Sequence, residues 1–272
     1  MKYLRRKHIL FSLAALLLIA GLVAWPVVRE VRQEAKDRAL IAAVKRNDTH
    51  AVVHLLDSGS DANARALLKE TRSFWQVCWD MVQGRCQEKS YAPTALLLSV
   101  DKNGFYLYLD DTKAENVAAQ TTIIRVLLEH GANPNFSDEH GFSPLWHALN
   151  FDEPQIDLLL IQHGAKLNGL FVDALCSVND IRVLQAMLDR GANVNEVSLR
   201  GMTALIYASN MHSVSKVKFL LAHNANVTMK DVDGYSALNY AMHSNYEHYM
   251  GEPPSPDNPE LVIHLLRQAG AR

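Results

Sequence analysis

The chain contains twelve histidines, three cysteines and 29 acidic residues, so metal binding and nucleophilic catalysis are the first chemistries to consider. A zinc-peptidase helix would show His-Glu-x-x-His and a structural zinc site would show Cys-x-x-Cys; neither string occurs. His50 and His54 are four apart and can share a helix face, but a lone pair of this kind is more often a surface feature. His243 and His248, beside Tyr246 and Tyr249, carry no stronger signal. Serine, histidine and acid are plentiful, yet no strand–elbow–helix motif presents a nucleophile and no glycine-rich phosphate loop is present. Cys78 and Cys86 stand eight apart with Gly84 between them. They can close a local disulfide, which an extracytosolic compartment would favour, or remain two free thiols. Cys176 falls at a small-residue position of a helix and is expected to be buried and inert. No catalytic residue, metal site or small-molecule cofactor is assigned, and the chain is expected not to be an enzyme.

The elements that would position any site are best read from residues 136–168. Asp138 and Gly141 make a turn, and Ser143-Pro144-Leu145 starts a helix with a hydroxyl N-cap and proline at the first helical position. A second apolar helix, Ile156 to Ile161, stops at Gly164, a residue suited to the left-handed conformation that ends helices. Such a unit is too small to bury its own apolar faces, and copies of it follow. The stop recurs at Gly59, Gly131, Gly164, Gly191, Asn224 and Gly270, and the start at Thr94, Ser143, Thr203 and Ser236. The steps from Gly131 to Gly164 and from Gly191 to Asn224 are both 33 residues.

Two signals recurring in phase give the chain its resemblance to the ankyrin repeat family, whose pattern runs Asp-x-x-Gly-x-Thr-Pro-Leu-His and ends Leu-Leu-x-x-Gly-Ala-Asp-Val-Asn. The resemblance covers residues 38–272 in about six units: 38–65, 91–135, 136–168, 169–195, 196–228 and 229–272. It implies an all-α solenoid of helix–turn–helix repeats with β-hairpin fingers. Insertions interrupt it at 64–90, 101–120 and 246–259. In the second of these, Phe105 to Leu109 suggests a short strand after an Asn-Gly turn. In the fourth unit Asn168 runs directly into Gly169-Leu170-Phe171, so its finger is expected to be truncated, leaving a notch.

Ahead of the repeats, residues 1–8 are basic and 9–28 are uncharged. Twenty residues at about 1.5 Å each span about 30 Å, the hydrocarbon thickness of a bilayer, and Trp25 suits its interface. A single N-terminal transmembrane helix is therefore expected. A cleaved signal peptide is the competing reading, although small residues do not fall at both −3 and −1 of a cut after Ala20 or Ala24. Residues 29–37 are expected to continue the span as a stalk. Basic residues flank both ends, but the compact basic N-terminus favours repeats outside the cytosol, which in a bacterium means the periplasm.

A formal charge of −2 gives no basic excess for nucleic acid. Stacked repeats form an extended binding surface, and the resemblance places contacts on finger tips and on the ends of first helices. On this chain those positions are Glu139, His140, Phe142, Asn150 and Phe151; Leu199, Arg200, Met202, Asn210 and Met211; and Val232, Asp233, Tyr235 and His243. Trp75 and Trp79 in the first insertion either join a partner surface or fold back as a cap. The expected function is a membrane-anchored module that binds a protein partner. The alternatives are a toxin-neutralising immunity protein, or an activity carried by the insertions.

Overall fold

The computed structural model describes residues 25–66, 93–100, 113–150, 153–167, 169–243 and 259–271. Within these, the chain forms two compact helical units that divide between Gly141 and Phe142.

In the first unit, α1 covers 25–45, followed by α2 (Thr49–Asp57), α3 (Ala95–Val100) and α4 (Lys113–Glu129). The Asp48 carboxylate accepts from the Ala51 amide at 3.0 Å and caps α2, satisfying a donor that the first turn leaves orphaned. Val52 and Leu56, four apart, form its buried stripe, and α2 packs on α4, as does α3. Every residue of α3 is buried, so its end needs an internal partner: the Gln120 amide donates to the Ser99 carbonyl at 2.5 Å. Residues 113–120, assigned to an insertion by the sequence, are the first turns of α4.

The expected stalk is part of the same helix as the first repeat. Asp37 accepts from the Asp61 amide at 2.8 Å, Gln33 donates to the Gly59 carbonyl at 3.1 Å, and Lys36 donates to the Ser58 carbonyl. These bonds fasten residues 33–37 to the loop that ends α2. Burial outweighs the hydrogen bonds at Asp37 and raises its carboxyl above the ordinary range.

The second unit contains α5 (Pro144–Leu149), α6 (Pro154–Gln162), α7 (Phe171–Ser177), α8 (Ile181–Asp189), α9 (Ala204–Asn210), α10 (Val214–Ala222), α11 (Ala237–His243) and α12 (Pro259–Gln268). First helices stack in chain order, α5 on α7 on α9 on α11, while second helices form an outer row in which α6 meets α8 and α10 meets α12. Ser143 and Thr203 start α5 and α9 with β-region backbone and hydroxyls that accept from the amides three residues on. Between the rows lie Leu145, Ala148, Ile156, Leu205, Ala208, Leu220 and Leu238, all buried and all core by repeat position.

The truncated fourth finger is visible at its edges. Gly169 and Leu170 form a turn and α7 begins at once with Phe171, which is fully buried. No side chain caps α7.

Among the described residues no helix is long and apolar enough to cross a membrane. Residues 9–24 of the uncharged run lie outside them. So do Trp75, Trp79, Cys78, Cys86, the strand expected at 105–109, Phe151, Asn168, His248 and the loop at 246–258.

Candidate partner-binding face

The fingers of the fifth and sixth repeats are built alike. In the fifth, Val197 and Thr203 form an antiparallel bridge, Ser198 donates to the Met202 carbonyl at 3.0 Å and Gly201 to that of Ser198 at 2.9 Å, leaving Leu199 and Arg200 at the tip. In the sixth, Lys230 bridges Ser236, and the tip is Val232-Asp233. Its anchor is Asp231, whose Oδ1 accepts from the amides of Asp233 and Tyr235 at 3.1 and 2.8 Å and whose Oδ2 accepts from the Tyr240 hydroxyl at 2.7 Å. The two fingers are joined by the Val232 amide donating to the Arg200 carbonyl at 3.2 Å.

This arrangement brings Leu199, Arg200, Val232, Asp233 and Tyr235 onto one pair of fingers. Leu199 is wholly exposed, Val232 is 72% exposed and Tyr235 55%, with Val197 half-exposed below them. A cluster of uncovered apolar side chains on a hydrogen-bonded hairpin pair costs hydration free energy unless something covers it.

Met202, expected at the contact face, is buried. Finger six explains this. Gly201, the residue before it, lies so close that an added Cβ would sit 3.1 Å from the Val232 nitrogen, so the neighbouring finger screens Met202 from solvent. Tyr235 holds the same place in finger six, but among the described residues no later finger follows it. Asn210 and Met211 are half-buried at the turn where His212 adopts φ 53°.

Repeat three places its residues separately. In the first unit, Glu139 and His140 are exposed, 3.6 Å apart, on a turn that Asp138 fixes by accepting from the His140 amide at 2.9 Å. In the second unit, Phe142 lies flat on Trp146 with ring centroids 3.8 Å apart, and His147 meets both rings edge-on. The Asn150 side chain donates to the Trp146 carbonyl at 2.8 Å, and His243 bonds the Asn239 carbonyl at 3.1 Å, so both polar groups are engaged locally. Sequence reasoning missed Trp146, which its spacing of four from Phe142 could have exposed.

Cys176 is exposed, contrary to expectation, because the residue points off the core side of the short α7. Surrounding protein still desolvates the sulfur and pushes its thiol up to about 11, with Lys216 lowering it and Asp173 raising it to lesser degrees. It is therefore held in the unreactive protonated form at neutral pH. Lys216 itself was not anticipated: it is buried and donates to the Leu175 carbonyl at 2.5 Å, a cation at the C-terminal end of α7 where the helix dipole favours one. The signal was there, since Lys216 precedes the core residue Leu220 by one turn. His50 and His54 are both exposed on α2, and no group of three metal-ligating side chains occurs among the described residues.

Comparison with known proteins agrees with this geometry. Residues 171–250 match the family description "Ankyrin repeats (3 copies)". Human ankyrin repeat and SOCS box protein 6 is 33% identical over 124 residues, 40% of this chain and 30% of that protein; the chain spans less than half the length of such curated relatives. Among solved structures, an ankyrin repeat domain from Acinetobacter baumannii superposes with a TM-score of 0.59 at 22% identity, covering 86% of this chain and 98% of that one. A chain from the complex of a Bdellovibrio bacteriovorus predatory endopeptidase with an immunity protein gives 0.55 at 17% identity, covering 85% and 97%. Residues 171–250 match ankyrin repeats, and the chain has the all-α ankyrin-repeat solenoid fold.

Proposed function

We propose that this chain is a membrane-tethered module, without catalysis of its own, that binds a protein partner on fingers five and six. The observation that carries the reading is the exposed apolar group Leu199, Val232 and Tyr235 on two hydrogen-bonded fingers. Interfaces are enriched in aromatic side chains and arginine at their centres, and Tyr235 and Arg200 supply both. The tether is residues 9–28, with the repeats outside the cytosol; its support is the length of the uncharged run and the basic residues ahead of it.

Capture from native membranes with the full chain tests the face. Leu199→Asp with Val232→Asp should lower the recovered partner at least tenfold, about 1.4 kcal/mol, while the helical circular dichroism stays the same. Undiminished capture would remove the face from consideration. A reporter active only in the cytosol, fused at the C-terminus, should be silent.

A second reading is favoured by the likeness to a chain of the endopeptidase–immunity protein complex: the partner is a toxin that this chain neutralises. The captured partner should then be an enzyme whose activity falls on adding the chain, and an unaffected partner would count against it.

A further inference from the structure

The exposed face of α1 is a charged surface that the partner-binding reading leaves without a role. At about 100° per residue, Trp25, Arg29, Arg32 and Lys36 fall within about 60° of one another on the helix. Trp25 is 67% exposed, and Arg29 and Arg32 are exposed as well. Neither arginine has an ion pair or hydrogen bond among the described residues. Together with Val28 and Gln33 these side chains line a recess of about 350 Å³. Among the described residues, Glu30 and Asp61 border a neighbouring recess with Trp25 and Arg29, and Glu34 is buried and paired with Arg38 at 3.3 Å. Lys36 is already engaged with the Ser58 carbonyl.

We infer that this stripe is a contact surface for an anionic phospholipid bilayer, with Arg29 and Arg32 pairing headgroup phosphates and Trp25 seated at the hydrocarbon boundary. The inference rests on the membrane-tethered reading above. Three observations select the occupant. The uncharged run ends at Val28, one residue before the first arginine, which puts both cations at headgroup depth. Tryptophan with an exposed ring is the side chain that prefers this interface. Among the described residues the stripe also offers two positive charges without an ion pair, the complement of phosphate, with Glu30 and Asp61 in the neighbouring recess beside Trp25 and Arg29; each such cation near an anionic surface is worth roughly a fivefold gain in partitioning. A bilayer held there would lie beside the loop at Ser58–Asp61, which α1 fastens through Gln33, Lys36 and Asp37. Repeat one would then sit against the membrane and not at the end of a spacer.

The test uses the full chain reconstituted with two kinds of vesicle, phosphatidylcholine alone and an equimolar mixture of phosphatidylcholine and phosphatidylglycerol. Flotation with pure phosphatidylcholine reports the tether. Lipid that stays bound through gentle detergent extraction of the mixed vesicles, quantified by mass spectrometry, reports the stripe. The expected result is flotation with both vesicles and retention of phosphatidylglycerol over phosphatidylcholine, a preference that Arg29→Gln with Arg32→Gln lowers about tenfold or more (roughly fivefold per cation). Arg46→Gln with Arg125→Gln, which removes the same charge from exposed positions elsewhere, should leave it intact. Flotation without a lipid preference overturns the stripe and leaves the tether standing. An equal fall in both double variants, or displacement of the lipid by free inorganic phosphate, also overturns it, assigning the effect to bulk charge or to a simple anion site. Failure to float with either vesicle overturns the tether and the stripe together.

Discussion

Two asparagines make the same bond across very different lengths of chain. In the first unit the Asn63 side-chain oxygen accepts from the Asn133 amide at 2.7 Å, a partner 70 residues away. In the second, Asn195 accepts from the Asn226 amide at 2.7 Å, 31 residues away. Each link joins one repeat to the next within its own unit, although one link spans two insertions and the other none. The entry and exit of the first insertion show how. Arg65 bridges Thr94 and the Ala66 amide donates to the Pro93 carbonyl at 2.9 Å, so the chain leaves and returns at one finger. The same bond between repeats is thus made whether 31 or 70 residues of chain separate its partners.

That comparison can be broken first at the core. Leu127 and Leu220 each lie four residues before a helix stop and are both fully buried, so replacing either with alanine should cost about 2–5 kcal/mol, measured by urea denaturation with exchange protection read near each site. A much smaller loss at Leu127 would mean that the insertion-bearing stack is the looser one. The next effect sharpens the contrast between fingers. Gly201 (φ 72°) and Gly141 (φ 88°) both hold left-handed backbone, and alanine there costs about 1–2 kcal/mol from strain alone. At Gly201 the new Cβ would also press on the Val232 nitrogen, so Gly201→Ala should lower the melting temperature more than Gly141→Ala. Equal shifts would deny that the fingers are tightly apposed.

Smaller again, Asn63→Ala and Asn195→Ala should each cost about 1 kcal/mol. Asn63 should cost slightly more, because its amide also donates to the Gly131 carbonyl at 3.1 Å. The smallest effect is the most pointed: replacing residues 67–92 with Asn-Gly, a two-residue hairpin turn, should change stability by less than about 1 kcal/mol, since loop closure depends only weakly on length. A large loss in thermal denaturation would show that the insertion supports the stack.

Much of the fold was legible because a one-dimensional repeat writes its core into the sequence at fixed offsets: Leu145, Leu205 and Leu238 follow their hydroxyl caps by the same interval. The site was legible only in part. Tip positions such as Leu199 and Val232 depend on the turn alone, and the turn is local. Met202 depends on whether the next finger lies against it, a tertiary fact that no residue in its own repeat records. The contacts of residues 29–37 were not legible for a similar reason: they read as polar helix, but what Lys36 and Asp37 bond to lies more than twenty residues on, in the loop at 58–61. Lys216 stands one turn before Leu220 on the core side, a position the sequence shows, but its partner is the Leu175 carbonyl, which has no sequence signature.

The Asn63–Asn133 link also has a timetable. A ribosome adds about 5–20 residues per second, so roughly 4–14 seconds separate the synthesis of Asn63 from that of its partner, about twice the wait between Asn195 and Asn226. Through that interval Val52 and Leu56 of the nascent chain have no α4 to cover them. The first repeat thus stays uncovered about twice as long as the fourth, and it is there that a chaperone would find the chain.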